Sequence, residues 1–340
     1  MLIPSSRLPI ALAAGLAALA VLAAVSLGQG SFPVAPREVA SVLWAALSGG
    51  ASGVGDTTRA IVMEIRGPRI VAALAVGAAL GAAVAAYQNV FRNPLVSPDI
   101  LGVSSGCALG AVIGILAGLP TAMMQALAFA GGLAAAGLVL AIGSLVRGHD
   151  RVLTFVLAGV VVGSLFSAGV AFAKAVADPY NQLPSITYWL LGGFGGVLPK
   201  DVMIAVPIML VALVPLALLR WRVNVLALPD DEARALGVDV AKTRLVVIVA
   251  ATLASSAAVT VAGVIGWVGL VVPHAARLLA GPSFARVLPL SALLGAGFLV
   301  VVDMLCRTVV RGELPPGVVT AIVGTPIFIS LLAASARRAP

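Results

Sequence analysis

Apolar runs of about 20 residues recur along nearly the whole chain, and they constrain the fold more than any other feature. The 340 residues are 61% hydrophobic and only 10% charged, whereas a soluble domain is usually close to half apolar and a quarter charged. A run of that length spans a bilayer as a helix, and the runs lack the alternation of barrel strands. The sequence therefore predicts an all-α, polytopic membrane protein.

About ten transmembrane helices are predicted, in a single transmembrane domain that covers residues 1–340. The first run follows Arg7 and is interpreted as a span, because the apolar core of a cleavable signal is shorter, about 7–15 residues. The predicted spans are 8–27, 70–90, 100–116, 123–146, 152–176, 202–219, 245–264, 268–279, 288–306 and 318–334.

The distribution of positive charge predicts the orientation of these spans. With ten spans, 13 of the 21 lysines and arginines lie on the side that holds both termini, and 8 lie on the other side. Cytoplasmic loops carry the excess of lysine and arginine, so both termini are predicted to be cytoplasmic. The same rule explains the net charge of +8 without a nucleic-acid partner.

Residues 220–244 form the one strongly charged segment of the chain, and we call this segment the island. Pro229 suits the start of a short helix, Gly237 suits its end, and Asp239 can cap the helix that follows. Two interpretations remain open for this cytoplasmic helix, a solvated connector or a docking element for a soluble partner. The predicted island helix contains Asp230, Asp231, Glu232, Ala233, Arg234, Ala235, Leu236 and Gly237.

The sequence shows no catalytic or metal site. It has no phosphate-binding loop of the G-x-x-x-x-G-K-[ST] type, and neither H-E-x-x-H nor G-x-S-x-G occurs. His149 and His274 lie at predicted cytoplasmic span ends, where an interfacial role is favoured over a ligand role. Cys107 and Cys306 lie inside apolar runs and are interpreted as core residues. The chain is therefore not expected to be an enzyme.

Asp303 is the intramembrane carboxylate that most needs explanation. Such a residue is a functional candidate, but Arg307 lies four residues later, so a structural ion pair is equally consistent. No convincing carboxylate occurs in the middle of a span, which argues against the alternative of an ion-coupled secondary transporter. A many-helix membrane body without energy-coupling residues suggests a pathway that a partner drives.

An ordered set of motifs resembles the permease subunits of type II ABC importers for iron-siderophores, haem and vitamin B12. The resemblance covers nearly the whole chain and implies a vitamin B12 permease-like fold. The motifs are Arg66-Gly67-Pro68-Arg69, Arg92-Asn93-Pro94-Leu95, Leu101-Gly102-Val103-Ser104-Ser105-Gly106, Ala235-Leu236-Gly237, Gly266-Trp267-Val268-Gly269-Leu270, Pro273-His274-Ala275-Ala276-Arg277, Glu313-Leu314-Pro315 and Gly317-Val318-Val319-Thr320.

The resemblance implies partners and a division of labour. It implies a homodimer in the bacterial inner membrane, with the pathway on the two-fold axis, two separate ABC ATPase subunits, and a periplasmic substrate-binding protein. The coupling loop would be about 224–240, with Asp230–Gly237 seated in the ATPase. This chain would bind no cofactor, and ATP and Mg would belong to the partner ATPase. An iron-siderophore is the leading substrate, with haem and vitamin B12 as alternatives.

The same resemblance gives a role to arginines on the predicted external side. Arg66 and Arg69 fall where the family places its contacts with the binding protein, and Arg307 matches a third contact. The segment from Arg307 to Glu313 is one residue shorter than the family pattern, which leaves Arg311 as a rival. The alternative role for these residues is to anchor helix ends at the membrane interface.

Glycine and proline indicate irregular backbone in the eighth predicted span. Gly263–Gly269 and Pro273 predict either helix breaks or a bent segment that faces the cytoplasm near the ATPase. The external segment 188–196 ends in a glycine run that slightly favours the vitamin B12 members of the family.

Overall fold

The computed structural model describes residues 3–50, 53–145, 151–310 and 312–336, and within these ranges the regular structure is entirely helical. Among the described residues, seven helices are long and apolar enough to cross a membrane, and three shorter apolar helices accompany them. Together they correspond one to one to the ten predicted spans. The prediction of an all-α, polytopic membrane protein is confirmed.

The helices are numbered in chain order. Those that match predicted spans are α1 Leu8–Gly28, α4 Gly67–Val90, α5 Val103–Leu116, α6 Thr121–Leu145, α7 Arg151–Val176, α9 Pro199–Leu218, α12 Val240–Ala262, α13 Val268–Ala280, α14 Phe284–Thr308 and α15 Pro316–Ala336. The connecting helices are α2 Pro36–Ser48, α3 Asp56–Ala60, α8 Gln182–Leu191, α10 Arg220–Val225 and α11 Asp230–Ala235.

Helix α4 forms the centre of the bundle, and most of its side chains are buried. It packs against α9, α12, α13 and α14. Gly77 lies against the backbone of Gly295, and Gly81 lies against that of Ser291, so α4 and α14 are antiparallel. A Cβ atom at either α4 glycine would overlap a carbonyl oxygen of α14. Small residues thus allow the two backbones to touch, as is common between membrane helices.

The segment before α4 differs from the prediction. A continuous helical run, Asp56–Val90, replaces the polar loop that was expected up to residue 69. Within it, the π-helical segment Ile61–Arg66 ends where the N–H of Gly67 bonds to the carbonyl of Val62. The wider turn accommodates Pro68, which has no N–H to donate.

Helix α13 also corrects an expectation, because Pro273 lies inside the helix and does not break it. The proline leaves the carbonyl of Gly269 without its usual helical donor. The side-chain amide of Gln88 on α4 supplies one, at 3.2 Å. The break lies at Gly263, where α12 ends with a positive φ of 67°.

The island folds largely as its sequence predicts. Pro229 is the N-cap of α11, and Gly237 follows the helix in the left-handed conformation, with φ 79°. Asp239 Oδ1 accepts a hydrogen bond of 3.0 Å from the N–H of Lys242 and caps α12. The start of α12 at Val240 agrees with the predicted cap, although the span itself was expected from about residue 245, and the short helix α10 was not predicted.

Candidate functional site

A cluster of five charged residues lies where α4 begins and α14 ends. We call it the arginine cluster, and this end of the bundle the arginine end. The antiparallel packing of the two helices brings together residues that are more than 230 positions apart in sequence. The cluster comprises Arg66, Arg69, Asp303, Arg307 and Glu313.

Arg69 bridges the two carboxylates of the cluster. Its Nε donates to Asp303 Oδ1 at 2.6 Å, and its Nη1 donates to Glu313 Oε1 at 2.7 Å. The environments of the two partners differ, since the side chain of Asp303 is fully buried and that of Glu313 is 55% exposed. Arg69 is therefore held firmly on its inner side and can exchange its partner on the outer side.

Arg307 completes a buried ion triad around Asp303. Its Nε lies 3.0 Å from Asp303 Oδ2, although the two atoms are not aligned as a hydrogen bond. Its terminal nitrogens donate to the carbonyl of Gln29 at 2.8 Å and to Ser26 Oγ at 2.6 Å. The predicted ion pair between Asp303 and Arg307 is confirmed.

The guanidinium of Arg66 donates hydrogen bonds to the end of α1 and to the loop that follows it. Its Nη1 donates to the carbonyl of Leu27 at 2.7 Å, and its Nη2 donates to the carbonyl of Phe32. Gly30 permits this contact, because a Cβ atom there would lie 2.9 Å from Arg66 Nη2. The loop between α1 and α2 is thus fastened to the bundle by charge-assisted hydrogen bonds.

The structure brings the three predicted contact arginines together, but it places them below the surface. Arg66, Arg69 and Arg307 are all buried, and each donates to groups of its own chain. Their contact with a binding protein stays a prediction. The rival residue, Arg311, lies outside the described residues.

A cavity of about 500 Å³ opens beside the arginine cluster. Arg69 and Glu313 form its charged wall, and the glycine run Gly192–Gly196 forms another part. Gly195 brings its backbone close to the ion pair, since a Cβ atom there would lie 2.8 Å from Glu313 Oε2. Apart from this ion pair, most of the exposed lining is apolar.

The island carries the second charged cluster, at the opposite end of α4. Asp230 accepts a hydrogen bond of 2.7 Å from Arg92 and one of 3.1 Å from Arg244. Arg92 also donates to the carbonyl of Leu226 at 2.9 Å. Arg92 follows α4 and Arg244 belongs to α12, so Asp230 clamps the start of α11 to two bundle helices.

The two arginines also fix the charge of Asp230. Partial burial alone would raise the pKa of this carboxyl, but the hydrogen bonds and charges of Arg244 and then Arg92 lower its pKa below the ordinary value. Asp230 is therefore ionised at neutral pH, and the clamp is an ion pair throughout the physiological range.

The rest of α11 faces outward. Ala233 is fully buried and anchors the helix, while Asp231, Glu232 and Arg234 are exposed. Leu236, which follows the helix directly, is 53% exposed. Leu236 and the charged residues beside it thus lie together on an exposed surface, next to a helix that is fixed at its start.

Sequence reasoning missed Arg92, Arg244 and Glu313 as partners within these clusters. Arg92 and Arg244 lie at predicted span ends on the same side of the membrane as the island acids, and this was the available signal. No comparable signal existed for the carbonyl groups of residues 26–32, because any residue type supplies a carbonyl.

The histidines and cysteines that the sequence analysis considered show no functional arrangement among the described residues. His274 Nε2 lies 3.3 Å from the carbonyl of Leu331, while His149 lies outside the described residues. Cys107 and Cys306 are buried and not bonded to each other. Among the described residues, no group of three or more histidine, cysteine or acidic side chains is arranged to hold a metal ion.

Comparison with known proteins gives matches along nearly the whole chain. Residues 18–334 match the model of the FecCD transport family. The "Probable iron chelatin transport system permease protein" of Helicobacter pylori is 39% identical over 272 residues, which cover 80% of this chain and 82% of that protein. The cobalamin import system permease protein BtuC of Halobacterium salinarum is 39% identical over 283 residues, with 82% and 75% coverage.

A solved structure matches the fold as well. An inward-facing structure described as a metal-chelate type ABC transporter superposes with a TM-score of 0.85 and 31% sequence identity. The match covers 96% of this chain and 99% of that one. The similarity in fold therefore extends over nearly the whole chain.

Proposed function

This chain belongs to the FecCD transport family, and from that premise we propose that it is the permease subunit of an ATP-driven importer that moves a metal chelate from the periplasm to the cytoplasm. The observation that carries the proposal is the family match over residues 18–334 of a ten-span bundle. Permeases of this family are transport subunits and not enzymes. An iron-siderophore is the leading substrate, and haem and vitamin B12 are the alternatives.

The proposed assembly is a homodimer in the bacterial inner membrane, with both termini in the cytoplasm and two ABC ATPase subunits below it. ATP and Mg would be bound by the ATPase. A substrate-binding protein would deliver the chelate at the arginine end, and each permease would contribute one transmembrane domain. The excess of lysine and arginine on the island side supports this orientation.

We propose α11 and the residues after it as the element that the ATPase pushes on. The clamp at Asp230 joins α11 to Arg92 and Arg244, so a displacement of the helix would pass to α4 and α12. The exposed Leu236 and the exposed charges of Asp231, Glu232 and Arg234 supply the contact surface. Residues Asp230–Gly237 would thus couple ATP hydrolysis to the switch between outward-open and inward-open states.

The variant Leu236→Asp tests this coupling surface. Loss of one buried leucine contact costs roughly 1.5–3 kcal/mol. We therefore expect the affinity of the permease for the ATPase subunit to fall about tenfold to a hundredfold. The matched control is Leu47→Asp on α2, where the leucine is also exposed but lies at the arginine end. Equal loss in both variants, or no loss in Leu236→Asp, would contradict the assignment.

At the other end, we propose that Arg66, Arg69 and Arg307 receive acidic residues of the binding protein. The exposed Glu313 occupies Arg69 Nη1, and an incoming carboxylate would replace it with a bond of the same kind. Arg69 would then keep Asp303 while it exchanges its outer partner. Such contacts steer and orient the encounter, and they weaken with salt.

Glu313→Gln tests this exchange without disturbing the buried residues. It removes the competing carboxylate, so the binding protein should bind a few-fold more tightly at low salt. The double variant Arg66→Glu with Arg69→Glu should abolish uptake stimulated by the binding protein, and its assembly with the ATPase is measured in parallel to check whether the fold survives the charge reversal beside the buried Asp303. Arg37→Glu with Arg59→Glu, two exposed cations at the same end, is the control. Weaker binding by Glu313→Gln would contradict the exchange.

The alternative function, an ion-coupled secondary transporter, makes the opposite prediction in reconstitution. The chain alone in vesicles should move no chelate, with or without an ion gradient, and transport should need the ATPase, ATP and the binding protein. Binding of ferric siderophores, haem and vitamin B12 to the cognate binding protein would then identify the substrate.

A further inference from the structure

An apolar groove runs between α9 and α12, and its cavity measures about 590 Å³. Its lining extends from Pro207 to Pro215 on α9 and from Leu245 to Leu253 on α12. Each lining segment is about 12 Å long, at 1.5 Å per residue. Both segments are centred slightly nearer the island than the midpoint of their helix, and their length is close to the depth of one bilayer leaflet, about 15 Å of hydrocarbon.

The sequence explains why a groove forms here. Two small side chains, Ala212 and Ala250, are buried and form its floor. Pro207 and Pro215 remove two backbone donors from α9 and disturb its regular packing. Larger side chains such as Val211 and Val249 stand exposed at the walls. The result is an apolar groove on the outside of the bundle, with small side chains at its floor and larger ones at its walls.

Three cations lie where the groove meets the island. Arg220 and Arg222 follow directly after α9, and Lys242 lies in the first turn of α12. All three are exposed, and none forms an ion pair with another described residue. Asp239, the acid nearest to Lys242 in sequence, uses its Oδ1 to cap the backbone. Trp221 stands among them, 58% exposed, as expected for an aromatic residue at the headgroup level of a membrane.

The helical register aligns these cations with the groove. Lys242 precedes Leu245 by three residues and Val246 by four, so it lies on the same face of α12 as the groove wall. Helix α10, which carries both arginines, contacts α9 and α12 as well as α4 and, most extensively, α14. Lys242 thus lies one turn beyond the groove lining of α12, and Arg220 and Arg222 lie within seven residues of Pro215, so all three cations lie toward the island end of the groove.

We propose that this groove binds an anionic phospholipid, with an acyl chain between α9 and α12 and the phosphate among Arg220, Arg222 and Lys242. The apolar groove matches the acyl chain of such a ligand, and the three cations match its phosphate. A soluble anion would leave the apolar groove empty, and an apolar helix or a neutral lipid would leave three cations without a counter-charge. The bound lipid would touch α10, next to the coupling surface at α11.

The test is native mass spectrometry of the full-length chain in neutral detergent, titrated with phosphatidylglycerol. We compare wild type with the triple variant Arg220→Gln, Arg222→Gln and Lys242→Gln. Each cation near an anionic headgroup contributes about fivefold in affinity, so removal of all three should weaken binding on the order of a hundredfold. A matched triple variant removes three exposed cations at the arginine end: Arg37→Gln, Arg59→Gln and Lys200→Gln.

Ligands that lack either the net negative charge or the acyl chains test the cations and the groove separately. Phosphatidylcholine should bind much more weakly than phosphatidylglycerol, and glycerophosphoglycerol, the headgroup without acyl chains, should not bind detectably. Ala212→Leu, which fills the floor of the groove, should weaken both lipids, and its thermal unfolding in detergent without added lipid checks that it still folds. The proposal is overturned if the two triple variants bind phosphatidylglycerol equally, or if the free headgroup binds as tightly as the lipid.

Discussion

Asp303→Asn should be the most destabilising single change at the arginine end. The substitution keeps the shape of the side chain but removes the negative charge between Arg69 and Arg307. Both guanidinium groups are buried and lie within 3.0 Å of the Asp303 carboxylate. Arg69 would keep Glu313 as a partner, whereas Arg307 would keep only neutral acceptors at the end of α1 and directly after it.

The expected loss of stability follows from the burial of Asp303 and not from the length of its contacts. Removing one partner of a fully buried ion pair costs about 3–5 kcal/mol, because the remaining charge stays desolvated. Glu313→Gln breaks a contact of almost the same length on the same arginine, 2.7 Å against 2.6 Å. Glu313 is 55% exposed, and an exposed pair is worth only about 0.2–1 kcal/mol.

The assay is reversible unfolding of the two variants in mixed micelles, followed by circular dichroism under identical conditions. We expect Asp303→Asn to lose at least 2 kcal/mol more stability than Glu313→Gln. Equal losses would refute the reasoning, because they would mean that water screens Asp303 as well as it screens Glu313. A small loss in both variants would show that Arg307 is satisfied by the loop carbonyl groups alone.

Two further predictions concern the core and the island. Gly77→Val should cost about 1–3 kcal/mol through overpacking against Gly295, whereas Gly137→Ala, where a Cβ atom meets no neighbour within 4 Å, should be neutral or slightly stabilising in the same unfolding assay. The pKa of Asp230 is lowered in the folded state, so the clamp with Arg244 should hold above about pH 4 and weaken as the pH falls further. Hydrogen exchange of residues 226–240, corrected for intrinsic rates, should accelerate below that pH in wild type but not in Asp230→Asn.

The sequence predicted the spans well because membrane helices are specified by length and hydrophobicity. The ends of α11 and the start of α12 were predictable for the same kind of local reason. Pro229, Gly237 and Asp239 act on their own neighbouring residues. The ion pair of Asp303 with Arg307 was also local, since it is an i,i+4 contact within one helix. Each of these features needs no knowledge of how the helices pack.

The parts that were missed depend on packing between distant segments. Pro273 looked like a break, but Gln88, which is 185 positions earlier in sequence, donates to the carbonyl that the proline leaves open. Arg66 and Arg69 looked like loop residues, but the π-helical turn before Pro68 extends the helix through both of them. The predicted span began only at residue 70 and left both arginines outside it, and only the packed structure showed that both guanidinium groups bond to groups of this chain.

Helix α4 connects the two charged clusters, and this arrangement bears on how a permease could work. Arg69 lies at its beginning and holds Asp303, and Arg92 follows its end and holds Asp230. The helix between them is buried, and its glycines bring its backbone into contact with α14. A tightly packed helix moves as a unit more easily than it bends. A displacement of Asp230 by a partner at the island would therefore reach the arginine cluster through α4, where the exposed Glu313 is the partner that Arg69 can most easily release.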